Sequence, residues 1–325
     1  GISDYQDPAI PDLQYAHRDA EAFAEYLRSP AGGSLDEDHL KLLLNQEATM
    51  AQFAIALDWL WEAAQEGDQA IIYFSGHGDV EKKSLTQPGF LLCWDAPGQV
   101  YMAGGAFPLP MLQEVISTIS VQNKAKVLMV ADACRSGKLS GNSVNGSQIT
   151  GSNLARQYAN DVKILSCQPE EYSIEGEQWG GGRGVFSYHL IDALYGLADR
   201  NEDMLVNLLE VERYLEDKVM TEAAPHSQIP LTVGSKATRM AVVDDELLRR
   251  IRDEKQGQLL TMSGTDSRGL EDEVLADLDT SIQRQYAAFQ NALQQKHFFS
   301  PEQESADALY ASLSEVPELE RLHPS

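Results

Sequence analysis

Ala70-Ile71-Ile72-Tyr73-Phe74-Ser75-Gly76-His77-Gly78 is the stretch on which the fold turns. An apolar run passes without interruption into a short loop with a glycine on each side of a histidine. Such a run, closed by glycine, predicts a strand buried on both faces, as in a parallel sheet. A second stretch repeats the pattern: Val127-Leu128-Met129-Val130 leads into Ala131-Asp132-Ala133-Cys134-Arg135-Ser136-Gly137. In open α/β sheets the carboxyl ends of strands are where sites are built. One strand end offers a histidine and the other a cysteine, the raw material of a Cys-His nucleophilic dyad.

Outward from these two runs, strands and helices alternate. Ala20, Phe23, Ala24 and Leu27 recur at helical spacing within residues 12 to 28, with Asp19 near the start. Leu40 to Leu44 is a short apolar stretch of strand character. Phe53, Leu57, Leu60, Trp61 and Ala64 form a helical stripe. Phe90 to Trp94 is a third apolar run, and Pro110 to Ile119 reads as a helix with proline at its entry. Residues 138 to 153 are rich in Gly, Ser and Asn and read as a loop. Val162 to Cys167 is the next strand. Val185 to Leu197 and Leu208 to Met220 read as helices. Ile229 to Val233 is either an edge strand or an extended tail, because Pro230 cannot donate to a ladder.

This alternation predicts an α/β fold, a mostly parallel sheet flanked by helices on both faces. The first domain spans 1–238. Residues 239–325 read as an acidic α-helical C-terminal region, with candidate helices at 246–260 and 275–295. Gly1-Ile2-Ser3-Asp4-Tyr5 reads as the exit of a strand whose body precedes Gly1.

Composition narrows the function. The formal net charge is -25, with 25 Lys and Arg against 50 Asp and Glu. Nucleic acid and anionic membrane surfaces both ask for positive charge, so neither is an expected partner. No apolar run approaches membrane-spanning length. The three cysteines, Cys93, Cys134 and Cys167, fit a reducing, cytoplasmic setting and offer no disulfide framework or zinc site.

The residues also carry a resemblance. Ser75-Gly76-His77-Gly78 and Asp132-Ala133-Cys134-Arg135-Ser136-Gly137 resemble the His and Cys motifs of caspase-like cysteine peptidases, in their metacaspase and bacterial orthocaspase branch. Residues 1 to 5, 13 to 24, 90 to 95, Ser166-Cys167-Gln168 and Gly184-Val185-Phe186-Ser187 resemble other parts of that domain, so the match covers about residues 1 to 236. Animal caspases carry Gln where Asp132 stands. The resemblance implies a caspase-like fold and a cysteine-type endopeptidase.

Chemistry and resemblance together assign roles. A thiol of pKa about 8.5 is mostly protonated at neutral pH and needs an imidazole to activate it. Cys134 is the expected nucleophile and His77 the general acid/base, which can later protonate the leaving amine. The resemblance implies the backbone N–H groups of Gly78 and Cys134 as oxyanion donors. An acidic residue two positions before the nucleophile points to a pocket for a cation. The resemblance adds Asp19 to Asp132 as a second pocket carboxylate, with Ser166 contributing a hydroxyl. Two carboxylates suit a guanidinium, so the expected substrate is a protein with Arg or Lys before the cleaved bond. Asp19 also has a plain structural reading, as a cap near the first helical turn. Lys138 and Arg156 bracket the loop after the nucleophile, which is either a site of self-cleavage or an uncut lid.

No cofactor is expected. Metacaspases often need calcium, but no acidic set here has spacing that assigns ligands. The resemblance further suggests latency until an activating protein partner signals, and a role in bacterial defence or regulated cell death. The alternative in a different class is a catalytically silent caspase-like adaptor. A Cys-His amidohydrolase acting on small molecules is a third reading.

Overall fold

The computed structural model describes residues 1–85, 88–133, 161–167 and 171–264, with 256–264 as helix backbone. The central sheet is built from β1 (Gln69–Ser75), β5 (Lys126–Asp132), β6 (Val162–Leu165) and β10 (Leu231–Val233), in that spatial order. β1, β5 and β6 are parallel, and β10 closes the far edge antiparallel to β6. Pro230 lies just before β10, where its missing donor costs the ladder nothing.

Both faces of this sheet are covered, which is why its strands read as unbroken apolar runs rather than alternating ones. Val127, Met129 and Ala131 point to one face, where α2 (Met50–Ala63) and α3 (Leu109–Val121) supply Leu57, Leu112 and Ile116. Leu128 and Val130 point to the other, where α1 (Ala16–Arg28), α4 (Val185–Asp192) and α5 (Leu208–Glu222) supply Phe23, Phe186, Leu190 and Leu215. Local signals set the helix starts. Thr49 accepts from the Gln52 N–H, and Asn207 and Glu210 form a reciprocal capping box. α4 runs into a π turn that ends through Gly196 at φ 108°. A Cβ there would sit 2.7 Å from Val243, so packing as well as conformation demands glycine.

Three expectations change. The Phe90–Trp94 run forms β3 (Gly89–Leu92), but in a separate antiparallel sheet between β2 (Gly78–Val80) and β4 (Ala106–Pro108). Leu40 to Leu44 forms no strand. Arg239–Val242, expected within a helical region, is a strand, β11, antiparallel to β9 (Leu205–Asn207). A two-residue pair, β7 (Glu175–Gly176) and β8 (Arg183–Gly184), clasps the glycine-rich loop between them. Gly1–Ile251 is one compact unit, so the boundary at 238/239 falls inside it. α6 (Asp245–Gly264) buries Leu248 in this unit. The second unit, Arg252–Ser325, is described only as helix as far as Gly264. Among the described residues no helix is long and apolar enough to cross a membrane.

Candidate active site

The parallel register of β1 and β5 sets the site. Ser75 pairs with Asp132, so both strands end at the same level on adjacent positions of the sheet. His77 follows two residues after Ser75, and Cys134 two residues after Asp132. Cys134 itself lies outside the described residues, as do Lys138 and Arg156.

His77 is buried and held from three directions. Its backbone N–H donates to the Tyr5 hydroxyl at 2.8 Å, and its carbonyl accepts from the Leu92 N–H at 2.9 Å. The Tyr5 ring lies 5.1 Å away, centroid to centroid. Nε2 sits 2.8 Å from the Pro11 carbonyl oxygen. A carbonyl can only accept, so Nε2 carries the hydrogen in the neutral ring and Nδ1 is left with the basic lone pair. Gly76 permits this turn. A Cβ there would meet the Tyr5 hydroxyl at 2.9 Å and the Phe74 ring at 3.0 Å. Gly78 is buried and opens β2, paired with Leu91.

Beside His77 lies a buried polar layer. Asp132 accepts from the Ser173 hydroxyl at 2.6 Å and the Ser187 hydroxyl at 2.7 Å. Tyr73 donates to Ser187 at 2.7 Å; burial holds its phenol well above the usual range, which keeps it a donor. Gln228 links Ser173 to the Ser166 carbonyl. Asp19 accepts from Arg183 Nε at 2.8 Å and from the Gly184 N–H at 3.0 Å, and the Ser75 hydroxyl lies 3.5 Å from its other oxygen.

The profile of the caspase domain matches residues 1–242. The chain belongs to the caspase-domain family. Membership supports cysteine-peptidase activity on protein substrates in general terms. No curated protein matches the chain. Among solved structures, the crystal structure of protein GSU0716 from Geobacter sulfurreducens is 16% identical over 75% of this chain and 97% of that one, with a TM-score of 0.49.

Within this caspase domain the structure brings His77, Gly78, Asp19 and Asp132 to one end of the sheet. Asp19 does not act as an N-cap: Tyr15 holds that position, and the carboxylate reaches out to β8. Ser166 stands one strand further on, after β6, with its hydroxyl 4.0 Å from Cys167 Sγ. The hydroxyl that neighbours Asp19 is that of Ser75, inside the His motif and overlooked beside it. Ser173, in a loop, and Arg183, in β8, were also missed, since neither carries a local signal; Ser187, quoted within Gly184-Val185-Phe186-Ser187, was given no role. Cys93 packs in the core, and burial pushes its thiol up to about 12, which suits a packing residue and not a nucleophile. Cys167 is disulfide-bonded, which corrects the expectation that the three cysteines form no disulfide. Among the described residues no cluster of His, Cys, Asp or Glu is arranged to hold a metal ion.

Proposed function

We propose that this caspase-domain protein is a cytoplasmic cysteine endopeptidase of the metacaspase and orthocaspase kind, cutting proteins after Arg or Lys. The observation that carries the reading is the Ser75–Asp132 register, which starts the His77 and Cys134 loops from the same end of neighbouring parallel strands. In the proposed mechanism, which requires Cys134 as a reduced thiol, His77 Nδ1 takes its proton, and the thiolate adds to the scissile carbonyl. The backbone N–H groups of Gly78 and Cys134 bind the oxyanion, and His77 returns the proton to the leaving amine. Water then hydrolyses the thioester. Pro11 holds the ring in the tautomer that this sequence needs.

Two buried carboxylates beside the nucleophile loop support basic specificity, since an aspartate substrate would meet like charge there. Arg183 supports latency. Its guanidinium already occupies Asp19, while its Nη2 has no hydrogen-bond partner among the described residues. A substrate arginine that reaches Asp19 displaces Arg183, and a partner that draws β8 away prepares that exchange. The same contact favours the second reading, a silent adaptor whose pocket stays closed.

Fluorogenic Arg-, Lys- and Asp-containing peptides, assayed with and without calcium, separate these readings. The peptidase reading expects turnover of the first two only, and at least about a thousandfold loss in Cys134→Ala and His77→Ala. A folded wild type that neither turns over any of them nor reacts at Cys134 with an Arg-based electrophile is the adaptor.

A further inference from the structure

Gln228 precedes β10, two strands along the sheet from Asp132 at the end of β5. Its side chain is fully buried and reaches back over the end of β6. The amide oxygen accepts from the Ile174 N–H at 2.9 Å. The amide nitrogen donates to the Ser166 carbonyl at 3.0 Å and to the Ser173 hydroxyl at 3.1 Å. A backbone N–H can only donate and a backbone carbonyl can only accept, so these partners fix which end of the amide is which. Both hydrogens of the NH2 group are then committed, one of them to Ser173. The Ser173 oxygen accepts that hydrogen and gives its own to Asp132 Oδ1 at 2.6 Å. The backbone on either side of Gln228 is pinned as well. One oxygen of Glu171 accepts from the Ser227 hydroxyl, and the other accepts from the Ile229 N–H at 2.6 Å.

The other oxygen of Asp132 ends a second relay of the same form. Tyr73 donates to Ser187 at 2.7 Å, and Ser187 donates to Asp132 Oδ2 at 2.7 Å. A single donor would place the carboxylate and leave it free to turn. Two relays that arrive at different oxygens also set its plane, before any substrate arrives. A carboxylate offers about four lone-pair sites, so two hydroxyls leave room for a bidentate partner. A guanidinium is a rigid planar fork and gains most from a carboxylate already held in one plane. An ammonium is a compact charge with rotatable donors, and it follows a carboxylate that turns.

We infer that Gln228 is a positioning residue for substrate choice: acting through Ser173, it holds the plane of Asp132 and so favours Arg over Lys before the cleaved bond. The inference rests on the peptidase reading and deepens it, since that reading admits both cations. Gln228 also ties the Ser173–Ile174 segment to the sheet. A tether alone supports the fold and does not choose between two cations.

The test measures kcat and KM for matched fluorogenic Arg and Lys peptides on the reduced full chain. Wild type is compared with Gln228→Met, Ser173→Ala and the double variant. Gln228→Met keeps the length of the side chain and removes the amide. Ser173→Ala removes the relay and leaves Gln228 its bonds to Ile174 and Ser166, so the tether survives. In each single variant KM for the Arg peptide is expected to rise about tenfold with kcat within about twofold, while the Lys peptide changes by less than about threefold. The double variant should match Gln228→Met in its Arg-to-Lys ratio, because both changes act on one relay. An unchanged ratio in Ser173→Ala overturns the inference, even where Gln228→Met is too unstable to assay. Equal losses for Arg and Lys reduce Gln228 to a tether and overturn it too. A folded wild type that turns over neither peptide removes the peptidase reading and this inference with it, a failure seen before any variant is assayed.

Discussion

Asp19 and Asp132 are equally buried and share Ser75 as a neighbour, yet they are held in opposite ways. Asp19 is met by a guanidinium and a backbone N–H. Asp132 accepts from two serine hydroxyls, one of them backed by Tyr73. An ion pair compensates a carboxylate where it stands. Hydroxyl donors satisfy lone pairs and can rotate when a cation arrives. The difference teaches that two carboxylates at one end of a sheet can have different duties: in the proposed peptidase Asp132 anchors the substrate, and Asp19 is engaged on opening.

The largest expected effect breaks that contrast at Asp132. Asp132→Asn is expected to lower kcat/KM for an Arg peptide by on the order of a hundredfold or more, the scale for removing one side of a buried charge pair. The preference for Arg over a citrulline peptide should collapse with it. Preserved Arg preference in Asp132→Asn would move the anchor elsewhere. Arg183→Ala comes next. It leaves Asp19 buried without its guanidinium and is expected to cost about 3–5 kcal/mol of stability by denaturant titration. The double variant Asp19→Asn/Arg183→Gln should recover much of that loss. Equal midpoints for single and double variants would show that the pair carries little.

Smaller effects sharpen the picture. Ser187→Ala deprives both Asp132 and Tyr73 of a partner and is expected to cost about 1–3 kcal/mol, measured in the same titration. The smallest effect uses a third carboxylate contact, where the buried cation titrates. His189 lies 2.9 Å from Glu222 and 3.6 Å from Asp192. Burial alone would lower its pKa, but the two carboxylates outweigh it and raise the value above 6.5. Glu222 is held below 4.5, chiefly by His189. A raised histidine stabilises below its unfolded pKa and loses that contribution as pH climbs through the folded value. A lowered glutamate stabilises above its unfolded pKa and loses it as pH falls through the folded value. The pair therefore supports the fold most between those limits. Tm should decline from pH 6 to pH 8.5, and His189→Gln should flatten that slope. An unchanged slope would exclude this pair as its source.

The sequence disclosed the parallel strands because burial on both faces leaves a run such as Ile71 to Phe74 with no polar interruption. It disclosed α1 and α5 because Phe23 and Leu27, or Val211 and Leu215, recur at helical spacing. Partner choice was less accessible. Phe90 to Leu92 has strand character, but nothing local says that it pairs with β2 and β4 rather than joining the main sheet. Leu40 to Leu44 has the composition of a strand, but a strand exists only where a neighbour offers its backbone. The site divides the same way. His77 and the two carboxylates sat in or near readable motifs. Arg183, 164 positions from Asp19, and Ser173, 41 positions from Asp132, come within reach only when the chain has folded.

A main-chain oxygen, that of Pro11, orients the imidazole, and this shapes how the base can be altered. Side-chain replacement at position 11 leaves that acceptor in place, so ordinary mutagenesis acts on it only by displacing the loop. Asp7 anchors this loop through the N–H groups of Ala9 and Gly98. Engineering of the tautomer would have to work through such tethers or through the amide itself. A backbone ester at the Pro11–Asp12 linkage, a weaker acceptor of the same shape, would loosen the ring's preference without touching a single side chain.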